Sequence, residues 1–205
     1  MEACPCPPNA AIPDIPDTLC PDNLFQIVRL ILTRQGNQIA ATEAAAKLLA
    51  TYTPLFAAAD DTKIQITNKL MESTTIPPGE PIKDGGDDNS TPLGRALLTG
   101  RATIPFEGFL RNIDSAQVAA LRAFGCEDLD VAFVTSNGQI YYNKNVDNTL
   151  RGFPIHAFFV GDKGAEGLNT HDKAKITFGL DPGWRDNGIL VTPDFDPRFD
   201  LQNNP

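Results

Sequence analysis

Basic residues are scarce in this chain of 205 residues: 17 Lys and Arg stand against 26 Asp and Glu, a formal net charge of −9. A surface that grips nucleic acid needs a basic footprint, so DNA or RNA binding is excluded as the expected function. The same balance suits a surface that repels nucleic acid. Tryptophan is nearly absent, with Trp184 alone, and three tyrosines leave little material for carbohydrate-stacking platforms. Long apolar runs are missing too. The longest, around Leu24–Leu32, is broken by Gln26 and Arg29, well short of the roughly 18 to 20 residues of a membrane helix. The first residues, Met-Glu-Ala-Cys-Pro-Cys-Pro-Pro, lack the basic start and apolar stretch of a signal peptide. Synthesis in the cytoplasm, no membrane partner and reduced Cys4, Cys6, Cys20 and Cys126 are therefore expected.

Catalytic signatures are equally thin. No Ser or Cys sits in a Gly-x-Ser-x-Gly setting. Cys4-Pro5-Cys6 has one intervening residue, where structural zinc pairs have two to four. The Asp84–Asn89 cluster lacks the alternating oxygens and distal Glu of a calcium loop, and reads as a solvated turn. Asp194, Asp196 and Asp200 read as part of a flexible tail. Gly161–Gly164 lacks the spacing of a phosphate loop, and Asp22 with Asp61 is too loose for a metal-dependent nuclease. The two histidines are His156, mid-strand among phenylalanines and read as a core or interface imidazole, and His171, in a loop. The expectation is no enzyme, no cofactor and no metal, although convergence of distant side chains stays open.

What is abundant is phenylalanine, proline and glycine: 12, 17 and 16 residues. Phe has no polar handle and anchors cores and interfaces. Residues 1–23 carry Pro5, Pro7, Pro8, Pro13, Pro16 and Pro21, with acids and no Lys or Arg, and read as an extended arm. Residues 24–193 read as one α+β domain. Strands are expected at Leu24–Arg34, Lys63–Thr67, Ala102–Leu110, Leu129–Thr135, Gln139–Asn143, Phe153–Val160, Lys173–Leu180 and Gly188–Thr192. Asn137-Gly138 marks a hairpin between the fourth and fifth of these. Helices are expected over Thr42–Phe56, kinked or ended by Pro54, and over Asp114–Gly125. Residues 72–94, with Pro77-Pro78-Gly79 and the Asp84–Asn89 cluster, read as one long protruding loop, and 194–205 as an irregular acidic tail. The fold class that results is a mainly antiparallel β-sandwich or barrel of about seven strands with two short helices.

The runs CPDNLFQIVRLILTRQG, TPLFAAADDTKIQIT and FFVGDKGAEGLNTHDKAKITFGLDPGW resemble virion structural proteins of bacteriophages, in particular the tail tube proteins of phages of Bacteroidetes-type hosts. That resemblance covers most of the chain and transfers no catalytic residue. It implies a virion location in the tail, with rings of six copies stacked around a negatively charged channel through which DNA slides unbound. Further partners would be other tail or virion proteins. Expected contacts between copies are Pro13 and Pro16 of the arm, and Pro77, Pro78, Asp84, Asp87 and Asp88 of the loop. Phe153, Phe158, Phe159 and Phe178 would lie on an intersubunit sheet formed by Phe153–Val160 with Lys173–Leu180. Rival readings are a capsid decoration, head-fibre or tail-completion protein, a monomeric ligand-binding module, and an enzyme.

Overall fold

The computed structural model describes residues 23–67, 70–86, 94, 96–165 and 171–203. In chain order the elements are β1 Ile27–Arg34, β2 Gln38–Ala40, α1 Glu43–Ala46, α2 Leu49–Ala57, β3 Gln65–Ile66, β4 Met71–Thr75, β5 Pro81–Asp84, β6 Leu97–Arg101, β7 Ile104–Arg111, α3 Ser115–Ala123, β8 Leu129–Thr135, β9 Ile140–Lys144, β10 Leu150–Arg151, β11 Phe153–Val160, β12 Lys173–Leu180 and β13 Gly188–Val191. All strand pairings are antiparallel. A mostly antiparallel sheet with short helices is as expected, but the count of about seven strands is corrected to thirteen among the described residues.

The ladder of β1 on β8 forms the central wall, running from Ile27 opposite Thr135 to Arg34 opposite Leu129. The other edge of β8 is shared. Phe133 and Val134 pair with β9, while Leu129–Val131 pair with β11. Two wings leave from this fork: β9 with β10, β2 and β13 on one side, and β11, β12, β7 and β4 on the other. The chain passes from β10 to β11 at Gly152, where a Cβ would lie 2.6 Å from the Val131 amide nitrogen. Only glycine permits that approach.

Alternation then makes two cores from one wall. Leu30, Leu32, Val131 and Phe133 point into a first core completed by β7, β11 and β12. Ile31, Ala132 and Val134 point into a second, with Ile39, Tyr52, Phe56, Tyr142 and Leu201. Buried on both faces, β8 reads as a near-continuous apolar run. In the first core Phe106 stacks on Phe178 at 4.3 Å, and Trp184 meets Phe133, Phe153 and Tyr141 edge-on. The far wing curls back toward β1, where the Thr74 hydroxyl donates to the Ile27 carbonyl at 2.9 Å.

Several expected elements change. The helix over Thr42–Phe56 is two helices, broken at Lys47–Leu48. The last carbonyls of α1 are taken by side chains: the Thr51 hydroxyl donates to Ala45 at 2.7 Å and Tyr52 to Ala46 at 2.7 Å. Those bonds replace the backbone donors that would continue the helix. Pro54 then sits inside α2 instead of ending it. The structureless reading of 72–94 is overturned in its described part, which holds β4 and β5. Strand β4 is polar and bulged at Ser73, whose φ is 51°, so its alternation is hidden.

The flexible-tail reading of the acids after Pro193 is also corrected. The backbone there is irregular but docked. Leu201 is fully buried, and Asn203 exchanges two hydrogen bonds with the Ile66 backbone. Buried Arg29 donates to the carbonyls of Thr67, Arg198 and Leu201 at 2.7, 2.9 and 3.0 Å. Arg198 donates to the Ser136 carbonyl at 2.8 Å and to the Asp196 carboxylate at 2.8 Å, and the second of these bonds holds the Asp196 carboxyl below its ordinary pKa.

Candidate assembly surface

Among the described residues, the groups singled out in the sequence for chemistry lie apart. His156, expected as a core or interface imidazole, is exposed and pairs with exposed Asp181 at 2.8 Å. Alternation from buried Phe153 and Ile155 puts His156 on the outer face, and a bulge after it, with Ala157 at φ 52°, returns Phe158 to the core. His171 is exposed in its loop. Gly164 bridges to Lys173, so Gly161–Gly164 belongs to a strand connection. Among the described residues, no group of three His, Cys, Asp or Glu could hold a metal ion. Cys4, Cys6, Cys20 and Asp22 lie outside the described residues, and Cys126 is exposed.

The outer face of β7, β12 and β4 is polar and internally paired. Lys175 meets Glu107 at 2.8 Å, and Glu72 meets Lys173 at 2.9 Å and Arg111 at 3.4 Å. Hydrogen bonding by Lys173 holds the Glu72 carboxyl below its ordinary pKa.

An apolar surface lies elsewhere. Strands β5 and β6 form a two-stranded sheet of their own, from Pro81 opposite Arg101 to Asp84 opposite Leu97. It carries Ile82, Leu97 and Leu98, which are 50, 52 and 69% exposed. An isolated two-stranded hairpin is marginal in water, and one with its apolar side chains in solvent lacks the packing that would hold it. At its base opens a groove of about 740 Å³, walled by Phe25, Pro77, Pro78, Leu98, Arg101 and Trp184. Trp184 is half-buried, with its ring edge-on to the first core. The Arg185 guanidinium lies 5.9 Å from the centres of the Trp184 and Tyr141 rings.

The residues expected at contacts fall into three groups. Pro77 and Pro78 are exposed and line the groove, and Asp84 is exposed on β5. Phe153, Phe158 and Phe178 are buried in the first core, and only Phe159, 61% exposed, faces out. Pro13, Pro16, Asp87 and Asp88 lie outside the described residues. The two strands expected to form an intersubunit sheet pair with each other within one protomer, and β12 is flanked by β7 on one side and β11 on the other. On its other side β11 meets β8 and α3, with Arg122 Nε donating to the Val160 carbonyl at 3.2 Å. Ile82, Leu97, Leu98 and Trp184 were missed. Asp84 pairs with Leu97, so twelve residues separate the two strands and no short turn motif signals the hairpin in the sequence.

No protein-family model matches the chain, and no curated protein matches it either. Among solved structures it is similar to a chain from the virion of a native gene transfer agent particle, at 13% identity and TM-score 0.31, covering 59% of this chain and 82% of that one. A chain from the tail of an empty gene transfer agent particle, refined with C6 symmetry, gives 13% and 0.31 over 62% and 87%. A chain from the baseplate of the anti-feeding prophage gives 8% and 0.32 over 86% and 100%. Likeness at this level decides neither fold nor function.

Proposed function

We propose that this chain is a structural subunit of a phage-type virion, with the tail tube as its place, and that it works by assembling with copies of itself. In this reading the curled antiparallel sheet closes as a barrel-like body, rings of six copies stack, and an acidic channel passes DNA without holding it. The observation that carries the proposal is the β5–β6 hairpin, a separate sheet with Ile82, Leu97 and Leu98 in solvent. A protomer gains nothing from building it alone, whereas a neighbour that covers it removes about 25 cal/mol for each Å² of apolar surface buried. The net charge of −9 per copy supports a surface along which a phosphate backbone slides.

Removing residues 80–90 tests the role of the hairpin. The expected product is a folded protein that stays monomeric by light scattering and forms no rings or rods in negative-stain micrographs, while the full chain does. Normal tubes from the deletion would refute it. The groove beside Trp184 favours a second reading, a monomeric ligand-binding module. That reading requires the full chain to remain a monomer at high concentration.

A further inference from the structure

Resting on the assembly reading, we propose that the groove beneath the β5–β6 hairpin seats the proline-rich segment 1–22 of a second copy, so that each protomer donates one segment and receives another. Three properties of the groove select this occupant. It is walled by Trp184, Phe25 and the Pro77-Pro78 pair, the flat apolar surface on which proline-rich chains dock. Its volume of about 740 Å³ lies within the range of roughly 300 to 1,000 Å³ for clefts that hold a ligand. Its charged lining is Arg101 and Arg185 against Glu80, an excess of positive charge on an acidic protein.

Segment 1–22 is the complement on each count. It holds six prolines, Ile12, Ile15 and Leu19, with Glu2, Asp14, Asp17 and Asp22 and no Lys or Arg. Proline-rich chain loses little entropy on docking, because its φ angles are already restricted. Geometry favours a second copy over the same one. The segment joins the fold at Leu24 and Phe25, which already form the groove's rim. Twenty-two residues of chain reach at most roughly 75 Å, against a radius of gyration near 17 Å for a domain of this length, so a neighbouring copy lies within range.

Trp184 is the only tryptophan, so its emission reports the groove directly. The full chain is diluted in steps while mass is followed by light scattering and Trp184 by emission maximum. A blue shift rising in step with mass is expected. A synthetic peptide of residues 1–22, added below the assembly concentration, should give the same shift without growth in mass. Arg101→Glu should raise both midpoints at least tenfold with an unchanged far-UV spectrum. A peptide carrying Asp14→Asn and Asp17→Asn should bind the unaltered protein several-fold more weakly, which tests the charge pairing without touching the fold. Growth in mass with constant Trp184 emission overturns the groove assignment and leaves the assembly reading standing. Emission already blue-shifted at every dilution and indifferent to the peptide means the chain's own segment fills the groove, and overturns the exchange. A chain that stays monomeric throughout sinks the assembly reading, and the second-copy donor with it.

Discussion

Tyr52 and Tyr142 meet hydroxyl to hydroxyl inside the second core, and the Tyr52 hydroxyl also donates to the Ala46 carbonyl at 2.7 Å. With that proton committed, Tyr142 is the donor to Tyr52. The two substitutions to Phe are therefore unequal. Tyr142→Phe deletes one donor and leaves Tyr52 bonded, a loss of about 1 kcal/mol. Tyr52→Phe orphans both the Tyr142 hydroxyl and the Ala46 carbonyl in a dry site, a loss of about 2 to 4 kcal/mol. Urea titrations of the two variants check the order. Burial pushes the Tyr52 phenol up to about 12. A raised folded pKa gives stability that is whole below pH 10 and is lost as pH climbs toward 12, so the alkaline limb should be shallower in Tyr52→Phe.

Asp130 supplies the opposite kind of case. It is fully buried on β8, one carboxylate oxygen accepts from the Gly36 amide at 2.9 Å, and the other has no hydrogen-bond partner. Burial raises its pKa, against the opposing pull of the Gly36 bond and of Arg151. The folded state thus binds the proton more tightly than the unfolded one. The group's favourable contribution is full below 3.8 and lost as pH rises through the folded pKa. Asp130→Asn keeps an acceptor for Gly36 and carries no charge. Its melting temperature should exceed that of the natural chain at pH 7, and the gap should close as pH falls toward 4. A gap that widens on acidification would contradict this account. Neither site was legible beforehand. Tyr142 stands in an Ile-Tyr-Tyr run whose alternation says which residues are buried, but nothing local says that a helix ninety residues earlier supplies the partner hydroxyl.

Among the elements, local rules did well wherever a segment's own alternation or cap decides its state. Strands β11 and β12 fall at their expected bounds, Asn137-Gly138 turns β8 into β9, and Asp114 with Gln117 forms a capping box at α3. They did poorly where a distant partner decides. The segment after Pro193 is short, acidic and rich in proline, the composition of a tail. It is ordered because Arg29, at the far end of the sequence, needs its carbonyls. Deleting residues 194–205 removes two of Arg29's close acceptors and uncovers the site of Leu201. A buried cation left with the Thr67 carbonyl but without its other acceptors costs about 3 kcal/mol or more, and the lost leucine burial about 2 more. At roughly 2 to 4 °C per kcal/mol, the truncated protein should melt at least 10 °C lower by differential scanning calorimetry. A fall of only a degree or two would mean that the segment is not held in solution. The hairpin should behave conversely, since its apolar side chains touch little: its loss is expected to change assembly and leave the melting temperature nearly untouched.

At the scale of the whole molecule, the arrangement that matters is one wall between two cores. Strand β8 gives Leu129, Val131 and Phe133 to the first and Ala132 and Val134 to the second. Neither core can lose its packing without stripping one face of that strand. Interiors packed to crystal density transmit such a loss and do not absorb it. Unfolding should therefore be a single transition, even though Trp184 reports only the first core while α1 and α2 pack only on the second. Phe56→Ala provides the test, because Phe56 belongs to the second core alone. Removing it costs about 3 to 5 kcal/mol. That corresponds to a drop of roughly 6 to 20 °C for a chain of this length. The drop should be equal whether followed by Trp184 emission or by far-UV circular dichroism. If Trp184 keeps its original midpoint while part of the far-UV signal melts early, the cores are separate cooperative units and the shared wall couples nothing.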